Sequence, residues 1–150
     1  MEDSLSAELF AIYFSAFSAH ALEIDGVVYP TLEHAYHCLR YADKKIVEEI
    51  RAARSPSLAW SVSQKYKAFQ KPDFSARKLE VMEMLQRNKM EQHEDVRTAL
   101  RDSGSKLIIK KIVSGPPGDG FWDAGEDGKG MNHVGKIWMR LRNELKQETK

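Results

Sequence analysis

Side chains suited to acid–base or metal chemistry cluster in one short segment, "EHAYHC". The segment holds one carboxylate, two imidazoles and one thiol, at Glu33, His34, His37 and Cys38. Zinc motifs on one helix usually use histidines four residues apart, whereas these two are three apart, so helix packing or capping is favoured over a metal site. Glu33 has a different use. A carboxylate in the first turn of a helix, beside a partly dry cleft, can serve as acid, base or cation stabiliser.

A second polar region is rich in glycine, since seven of the nine glycines lie between Gly115 and Gly135. Flexible backbone before a helix that starts near Asn132 would expose N–H groups and the positive helix end, which together suit an anion. The alternative is a long surface loop that needs glycine for its turns. Trp122, beside these glycines, either fills the core or forms a stacking wall.

Three known loop patterns do not fit this region. A calcium loop beginning at Asp123 would lack ligands at its third and twelfth positions, Gly125 and Val134. A dinucleotide fingerprint would need glycine where His133 stands. A P-loop over "GMNHVGKI" would have Ile137 where a hydroxyl must bind magnesium, so we expect no nucleotide triphosphatase.

The segment before Glu33 predicts how that residue is positioned. "ALEIDGVVY" is typical of a β-hairpin whose turn is Asp25–Gly26. Pro30 ends the second strand and Thr31 is a suitable N-cap. Glu33 then falls in the first helical turn, where the helix dipole favours a carboxylate.

The rest of the chain predicts mainly helices. Three or four helical segments follow, with apolar faces marked by Ile46 and Ile50, by Leu58 and Val62, and by Leu79, Met82 and Leu85. Gly104 is a good C-cap, and the β-branched "KLIIKKIV" (106–113) predicts a strand. An amphipathic helix closes the chain, with a stripe of Val134, Ile137, Trp138, Leu141 and Leu145. The expected fold is a mostly helical, compact α+β single domain over residues 1–150 with a small β-sheet.

Composition narrows the class of protein. The 150 residues suffice for one domain, and 42% hydrophobic with 30% charged residues is typical of a globular protein without a membrane span. A net charge of +1 means that any phosphate site must be a local patch. The single cysteine excludes an intrachain disulfide, and the acidic start lacks the features of a signal peptide. We expect a cytoplasmic protein; in a eukaryote, a nuclear location would also agree with these features. The oligomeric state is open.

Two long segments resemble the YbiA-like, or NADAR, superfamily. "IDGVVYPTLEHAYHCLRYA" is similar to its "DG-x-x-YPT-x-EHA-Y" pattern, and "FWDAGEDGKGMNHVGKIWMRLRNEL" to its late "FWG-x-G-x-DG-x-G-x-N-x-LG" pattern. Between them, "RKLEVMEMLQRNK" fits the family's "R-x-x-VM-x-x-x-L-x-x-K" helix more loosely. The resemblance covers roughly residues 10 to 146.

This resemblance implies a hydrolase that cleaves N-glycosidic bonds; we also expect no cofactor and no metal. Members hydrolyse a ribosylamino-pyrimidine phosphate of the riboflavin pathway, or remove ADP-ribose from guanine in nucleic acid. Carried onto this sequence, the resemblance implies Glu33 as the main catalytic group and Asp127 as a group that orients water or ribose hydroxyls. It implies substrate contacts from Phe17, Tyr36, Arg40, Trp122, Gly128, Gly130 and Asn132.

The sequence departs from the family pattern at five positions. Ala16 replaces an asparagine, His37 a glutamine and Arg40 a lysine, while Lys110 replaces a glutamate and Asp123 a glycine. An always-charged guanidinium cannot replace a lysine in covalent or proton-transfer chemistry.

The substrate class and the presence of turnover are therefore both open. We place ADP-ribosylated guanine first among the substrates, because four basic residues could contact a diphosphate or a nucleic-acid backbone: Arg40, Lys110, Lys111 and Lys129. The alternative is that these residues form an ordinary solvated face. The alternative of another class is a non-catalytic module that binds ADP-ribose or a related nucleotide.

Overall fold

The computed structural model describes residues 3–112 and 118–148, which divide into two units. One unit is Ala16–Gln92, and the other comprises the described residues before and after it. The Ala16–Gln92 unit contains β1 (Leu22–Ile24), β2 (Val27–Tyr29), α2 (Leu32–Cys38), α3 (Lys44–Arg51), α4 (Pro56–Lys65), a 3₁₀ turn (Lys67–Phe69) and α5 (Phe74–Gln92). The other contains α1 (Ala7–Leu9), a π-helical turn (Phe10–Phe14), α6 (Glu94–Asp102) and α7 (His133–Glu148). The prediction of a mostly helical α+β fold with a small sheet is confirmed.

The predicted hairpin is present and leads into α2. Strands β1 and β2 pair antiparallel, with Leu22 opposite Tyr29. The turn residues Asp25 and Gly26 have φ values of 52° and 81°, a backbone region that glycine adopts freely and aspartate tolerates. This short sheet ends directly before the cap of α2, so local turn chemistry determines where α2 begins.

The faces of the next helices agree with the prediction only in part. α3 buries Ile46 and Ile50 as expected. In α4 the buried residues are Ala59 and Ser63, whereas Leu58 is 50% exposed, so the buried face lies one position later than predicted. α5 buries Met82 and Leu85 but leaves Leu79 largely exposed. The apolar spacing in α4 and α5 was ambiguous, and tertiary neighbours decided which residues are covered.

The closing helix α7 is the core of its unit. All five stripe residues are buried, and Trp138 is completely inaccessible. The Trp138 indole Nε1 donates to the Phe14 carbonyl at 3.0 Å, and the two rings are 5.2 Å apart. Gly104 follows α6 with φ 62°, which confirms its predicted place at the end of that helix.

The predicted strand at 106–113 is wrong for residues 106–112, and residue 113 lies outside the described part. Only one isolated parallel bridge forms there, between Leu107 and Ser4. Further along, Lys110 instead accepts from the Ala124 N–H at 3.0 Å. The segment is extended and Ile108 is buried, but its backbone bonds go to separate partners instead of one neighbouring strand. Among the described helices, none is both long and apolar enough to cross a membrane.

Candidate active site

Glu33 lies in the first turn of α2, as predicted, and its backbone is firmly held. Thr31 caps the helix by accepting from the His34 N–H at 3.2 Å. The Glu33 N–H donates to the Ala16 carbonyl at 3.1 Å, which places Ala16 beside it. The Glu33 side chain is 15% exposed. Within the described chain its Oε1 is bonded and its Oε2 has no hydrogen-bond partner, so one carboxylate oxygen remains for a ligand.

The partner of Glu33 is His37, one helical turn later. His37 Nε2 lies 2.6 Å from Glu33 Oε1, and the imidazole is only 4% exposed. The other ring nitrogen, Nδ1, is 3.0 Å from Arg40 NH1. Arg40 is itself buried, and its Nε donates to Gln70 Oε1 at 2.8 Å. The structure therefore links Glu33, His37 and Arg40 in one mostly buried network, which the sequence alone does not show.

His34 and Cys38 have structural contacts. The two ring nitrogens of His34 lie 2.8 Å from Thr31 Oγ1 and 2.9 Å from the Ala53 carbonyl. The Cys38 thiol donates to the Val47 carbonyl at 3.4 Å, and burial raises the pKa of Cys38 to about 12. A protonated thiol and an imidazole with both nitrogens engaged are poor metal ligands. These contacts support the packing and capping interpretation of the two residues.

Phe17 and Tyr36 occupy contrasting environments. Phe17 is 48% exposed and directly follows Ala16, whose carbonyl binds the Glu33 backbone. Tyr36 is buried, and its ring packs edge-on against Phe74 at 5.4 Å. Phe17 is thus accessible for stacking, whereas Tyr36 contributes mainly packing; the substrate role of each stays a prediction.

In the other unit, Asp123 organises the glycine-rich loop. Asp123 is 2% exposed, and its carboxylate accepts from the N–H of Gly120 at 3.3 Å and of Gly125 at 2.9 Å. Backbone N–H groups are good partners for a buried carboxylate. The departure from the family's glycine at this position therefore introduces a structural anchor for the loop.

Asn132 connects this loop to the start of α7. Its side chain donates to the Ile108 carbonyl at 3.0 Å and accepts from the Lys110 N–H at 2.9 Å. The backbone N–H groups at the helix start are also engaged, because those of residues 131–134 all donate to carbonyls of residues 120–123. The expectation of free N–H groups for an anion near Asn132 is therefore wrong. A phosphate would have to be held by other groups.

The remaining predicted loop residues differ in how closely they are packed and how exposed they are. Gly130 packs so closely that a Cβ there would lie 2.5 Å from the Asp123 carbonyl, so packing requires a glycine. Gly128 has φ 77° with open space around it. Asp127 is exposed, and one of its oxygens accepts from the Lys129 N–H at 3.0 Å. Trp122 is half-buried and 4.7 Å from the Phe121 ring. The ligand-binding roles of Trp122, Asp127, Gly128 and Gly130 stay predictions.

Sequence reasoning missed a buried lysine in the Ala16–Gln92 unit. Lys89 is 1% exposed and donates to Ser18 Oγ, which lies 2.8 Å from His20 Nδ1. A buried lysine is uncommon and needs polar partners. The available signal was its spacing, since Lys89 stands four residues after the buried Leu85 on α5.

A groove of about 530 Å³ lies in the unit that contains α6, and its lining includes none of the predicted site residues. Leu5 and Phe14 form part of its wall, and Glu94, Asp95 and Asp102 contribute acidic groups. Acidic groups repel phosphate, so this groove does not suit a ribose phosphate.

Comparisons with known proteins agree with the sequence patterns. Residues 5–146 match the family model of the NADAR domain. The chain is 33% identical over 132 residues to N-glycosidase YbiA of Escherichia coli strain K12, which covers 88% of this chain and 80% of that protein. It is 27% identical over 135 residues to riboflavin biosynthesis protein VVA0006 of Vibrio vulnificus, covering 90% of this chain and 36% of that one. The NMR structure of E. coli YbiA superposes with a TM-score of 0.82 at 29% identity, covering 99% of this chain and 89% of that one. This chain belongs to the NADAR domain family.

Proposed function

We propose that the protein is an N-glycosidase that hydrolyses the C1′–N bond of a ribose phosphate. The observation that carries the proposal is the Glu33 carboxylate, which is mostly buried, bonded through Oε1 and unbonded at Oε2 within the described chain. The similarity of the chain to a protein named as an N-glycosidase supports the same reaction type. A carboxylate held in this way suits a reaction that develops positive charge on a sugar.

The reaction requires few groups. The C1′–N bond breaks, its electron pair leaves with the nitrogen, and C1′ develops oxocarbenium character. The Glu33 carboxylate stabilises that charge and accepts a proton from the water that adds to C1′. The leaving nitrogen gains a proton from solvent, and Glu33 returns its proton to solvent. One water molecule is therefore consumed, and the products are the free ribose phosphate and the released amine or base. Asp127, on the exposed loop, is proposed to orient the water or the ribose hydroxyls.

For the substrate, we place ADP-ribose on guanine first. Lys111 and Lys129 are exposed and Lys110 is half-buried, so they are available to a diphosphate or a nucleic-acid backbone. Arg40, by contrast, is buried and bonded to protein groups, which weakens the argument from basic residues. A ribosylamino-pyrimidine phosphate is the second candidate, favoured by the similarity to a protein named for riboflavin biosynthesis.

The deciding experiment follows product release from both substrates. A DNA oligonucleotide carrying ADP-ribose on guanine, and separately a ribosylamino-pyrimidine phosphate, are incubated with the wild type, Glu33→Gln and Glu48→Gln. Glu48 is a matched control because it is an exposed helical carboxylate paired with Arg51 at 2.9 Å. We expect the wild type and Glu48→Gln to release product from one substrate, and Glu33→Gln to lose at least about 100-fold in rate.

Other outcomes have defined meanings. Release of product from the pyrimidine substrate alone would reject ADP-ribosylated guanine as the substrate. Equal rates for Glu33→Gln and the wild type would remove Glu33 from the chemistry. No release from either substrate would contradict the enzyme proposal and favour the non-catalytic nucleotide-binding module.

A further inference from the structure

The hydrogen bonds around His37 determine which of its ring nitrogens carries the proton. Arg40 has only donors, so the 3.0 Å contact from NH1 requires an unprotonated Nδ1. The proton of the neutral ring then resides on Nε2, which donates to Glu33 Oε1 at 2.6 Å. The direction of every bond in the network follows from the chemistry of the guanidinium alone.

A proton on Nδ1 does not fit this environment. It would place an N–H against an Arg40 N–H, two donors facing one another. In the opposite tautomer, the Nε2 lone pair would also face the Glu33 carboxylate, two acceptors facing one another. The His37 side chain is only 4% exposed, so water has little access to relieve either conflict.

Several contacts hold Arg40 in the position from which it donates to His37. Its Nε donates to Gln70 Oε1 at 2.8 Å, and its backbone carbonyl accepts from the Lys71 N–H at 2.9 Å. Its guanidinium carbon lies 5.7 Å from the Tyr41 ring centroid and 6.0 Å from that of Phe74. Within the described residues Arg40 has no direct contact with a carboxylate. Its guanidinium instead polarises the His37 imidazole, which strengthens the hydrogen bond from His37 to Glu33.

We propose that Arg40 and His37 are positioning residues that hold Glu33 as a carboxylate, with Oε1 bound and Oε2 left for the substrate. This inference rests on the proposed glycosidase function and deepens it. It assigns Glu33 the role of cation stabiliser and base, because the network offers a donor to Glu33. A glutamine at position 37, which the family resemblance gives as usual there, could likewise donate to Glu33 and accept from Arg40.

The first test is spectroscopic and needs no substrate. Protein labelled with ¹⁵N-histidine is studied at neutral pH by long-range ¹H–¹⁵N correlation, with His37 assigned by the loss of its signals in His37→Gln. We expect a neutral His37 with the proton on Nε2, and a shifted Nδ1 signal in Arg40→Met. A proton on Nδ1 in the wild type, or an Nδ1 signal unchanged in Arg40→Met, would overturn the proposal.

The second test is kinetic and uses paired variants. His37→Gln keeps a donor for Glu33 and an acceptor for Arg40, so its kcat should stay within about threefold of the wild type, whereas His37→Leu should lose about 10-fold to 100-fold in kcat with little change in KM. Circular dichroism and melting curves check that both variants fold. Equal kcat values for the two variants would overturn the positioning role.

The two proposals fail separately. A wild type that hydrolyses neither substrate would reject the glycosidase function, while the NMR measurement would still decide whether Arg40 and His37 hold Glu33. An active wild type with the opposite His37 tautomer would keep the function and reject the positioning network.

Discussion

The Asn132 side-chain Nδ2 donates to the Ile108 carbonyl at 3.0 Å, and this bond ties the start of α7 to the extended segment before the loop. The same amide accepts from the Lys110 N–H at 2.9 Å. Asn132 itself has φ 51°, a left-handed conformation that asparagine tolerates better than most residues. The Asn132 side chain thus ties the end of the glycine-rich loop to the segment before it, in addition to the Asp123 carboxylate and the backbone bonds that hold the loop.

Replacing Asn132 with alanine should therefore destabilise the protein strongly. The buried Ile108 carbonyl and the part-buried Lys110 N–H lose their partners and the left-handed backbone becomes strained, so we expect a loss of about 2–5 kcal/mol in the free energy of unfolding. Urea denaturation measures it. Asn132→Gly separates the causes, because it loses the same bonds but accepts the backbone, and should be about 1–2 kcal/mol more stable than the alanine variant. Equal losses for the two variants would show that the backbone conformation is not strained.

Gly135 and Gly128 should respond very differently to alanine. A Cβ at Gly135 would overlap the Ile108 carbonyl oxygen, whereas Gly128 has open space and only its φ of 77° to oppose a side chain. We expect Gly135→Ala to lose about 3 kcal/mol or more, or to fail to fold, and Gly128→Ala to lose about 1–2 kcal/mol. Chemical denaturation of both variants checks this order. The reverse order would contradict the close approach of α7 to Ile108.

Cys38 should be unreactive in the folded protein and should make stability fall at high pH. Burial is the largest cause that raises the pKa of Cys38 to about 12, with a smaller lowering by Arg51 and a smaller raising by Glu48. Below the unfolded thiol pKa of about 8.5 both states keep the proton and the full stability is present. Above it the unfolded chain releases the proton first, so stability is lost as the pH rises toward about 12.

The measurement compares the wild type with Cys38→Ala, which has no thiol to titrate. Their difference in unfolding free energy should shrink by at most about 1.4 kcal/mol per pH unit above about pH 8.5. A disulfide reagent should label Cys38 quickly only after denaturation. Rapid labelling of the native protein would contradict the burial of the thiol.

ADP-ribose should raise the melting temperature if the substrate is an ADP-ribosylated base, because ADP-ribose is then the product. A ligand present at a hundred times its dissociation constant raises the free energy of unfolding by about 2.7 kcal/mol. Differential scanning fluorimetry with the wild type and Glu33→Gln measures it, with adenosine as the control ligand. No stabilisation by ADP-ribose would contradict the ADP-ribosyl substrate and favour the pyrimidine candidate. Stabilisation without product formation from either substrate would favour the binding module.

Local signals in the sequence were sufficient for several elements. The Asp25–Gly26 turn and the Thr31 cap depend on residues within a few positions of one another, and both are present as predicted. The buried stripe of α7, which includes Trp138, follows from helical periodicity over about three turns. The turn and the cap placed Glu33 in the first turn of α2, and the long motifs identified the family.

The tertiary structure decided the features that depend on distant partners. The segment 106–112 has the composition of a strand, but a strand needs a continuous neighbour, and Leu107 finds only an isolated bridge. The donors near Asn132 were expected to be free because the sequence does not show that loop carbonyls reach them. Arg40 is separated by thirty positions from Gln70, whose bond orients it toward His37 and Glu33. Residue type alone specifies which groups can bond, and the fold specifies which of them meet.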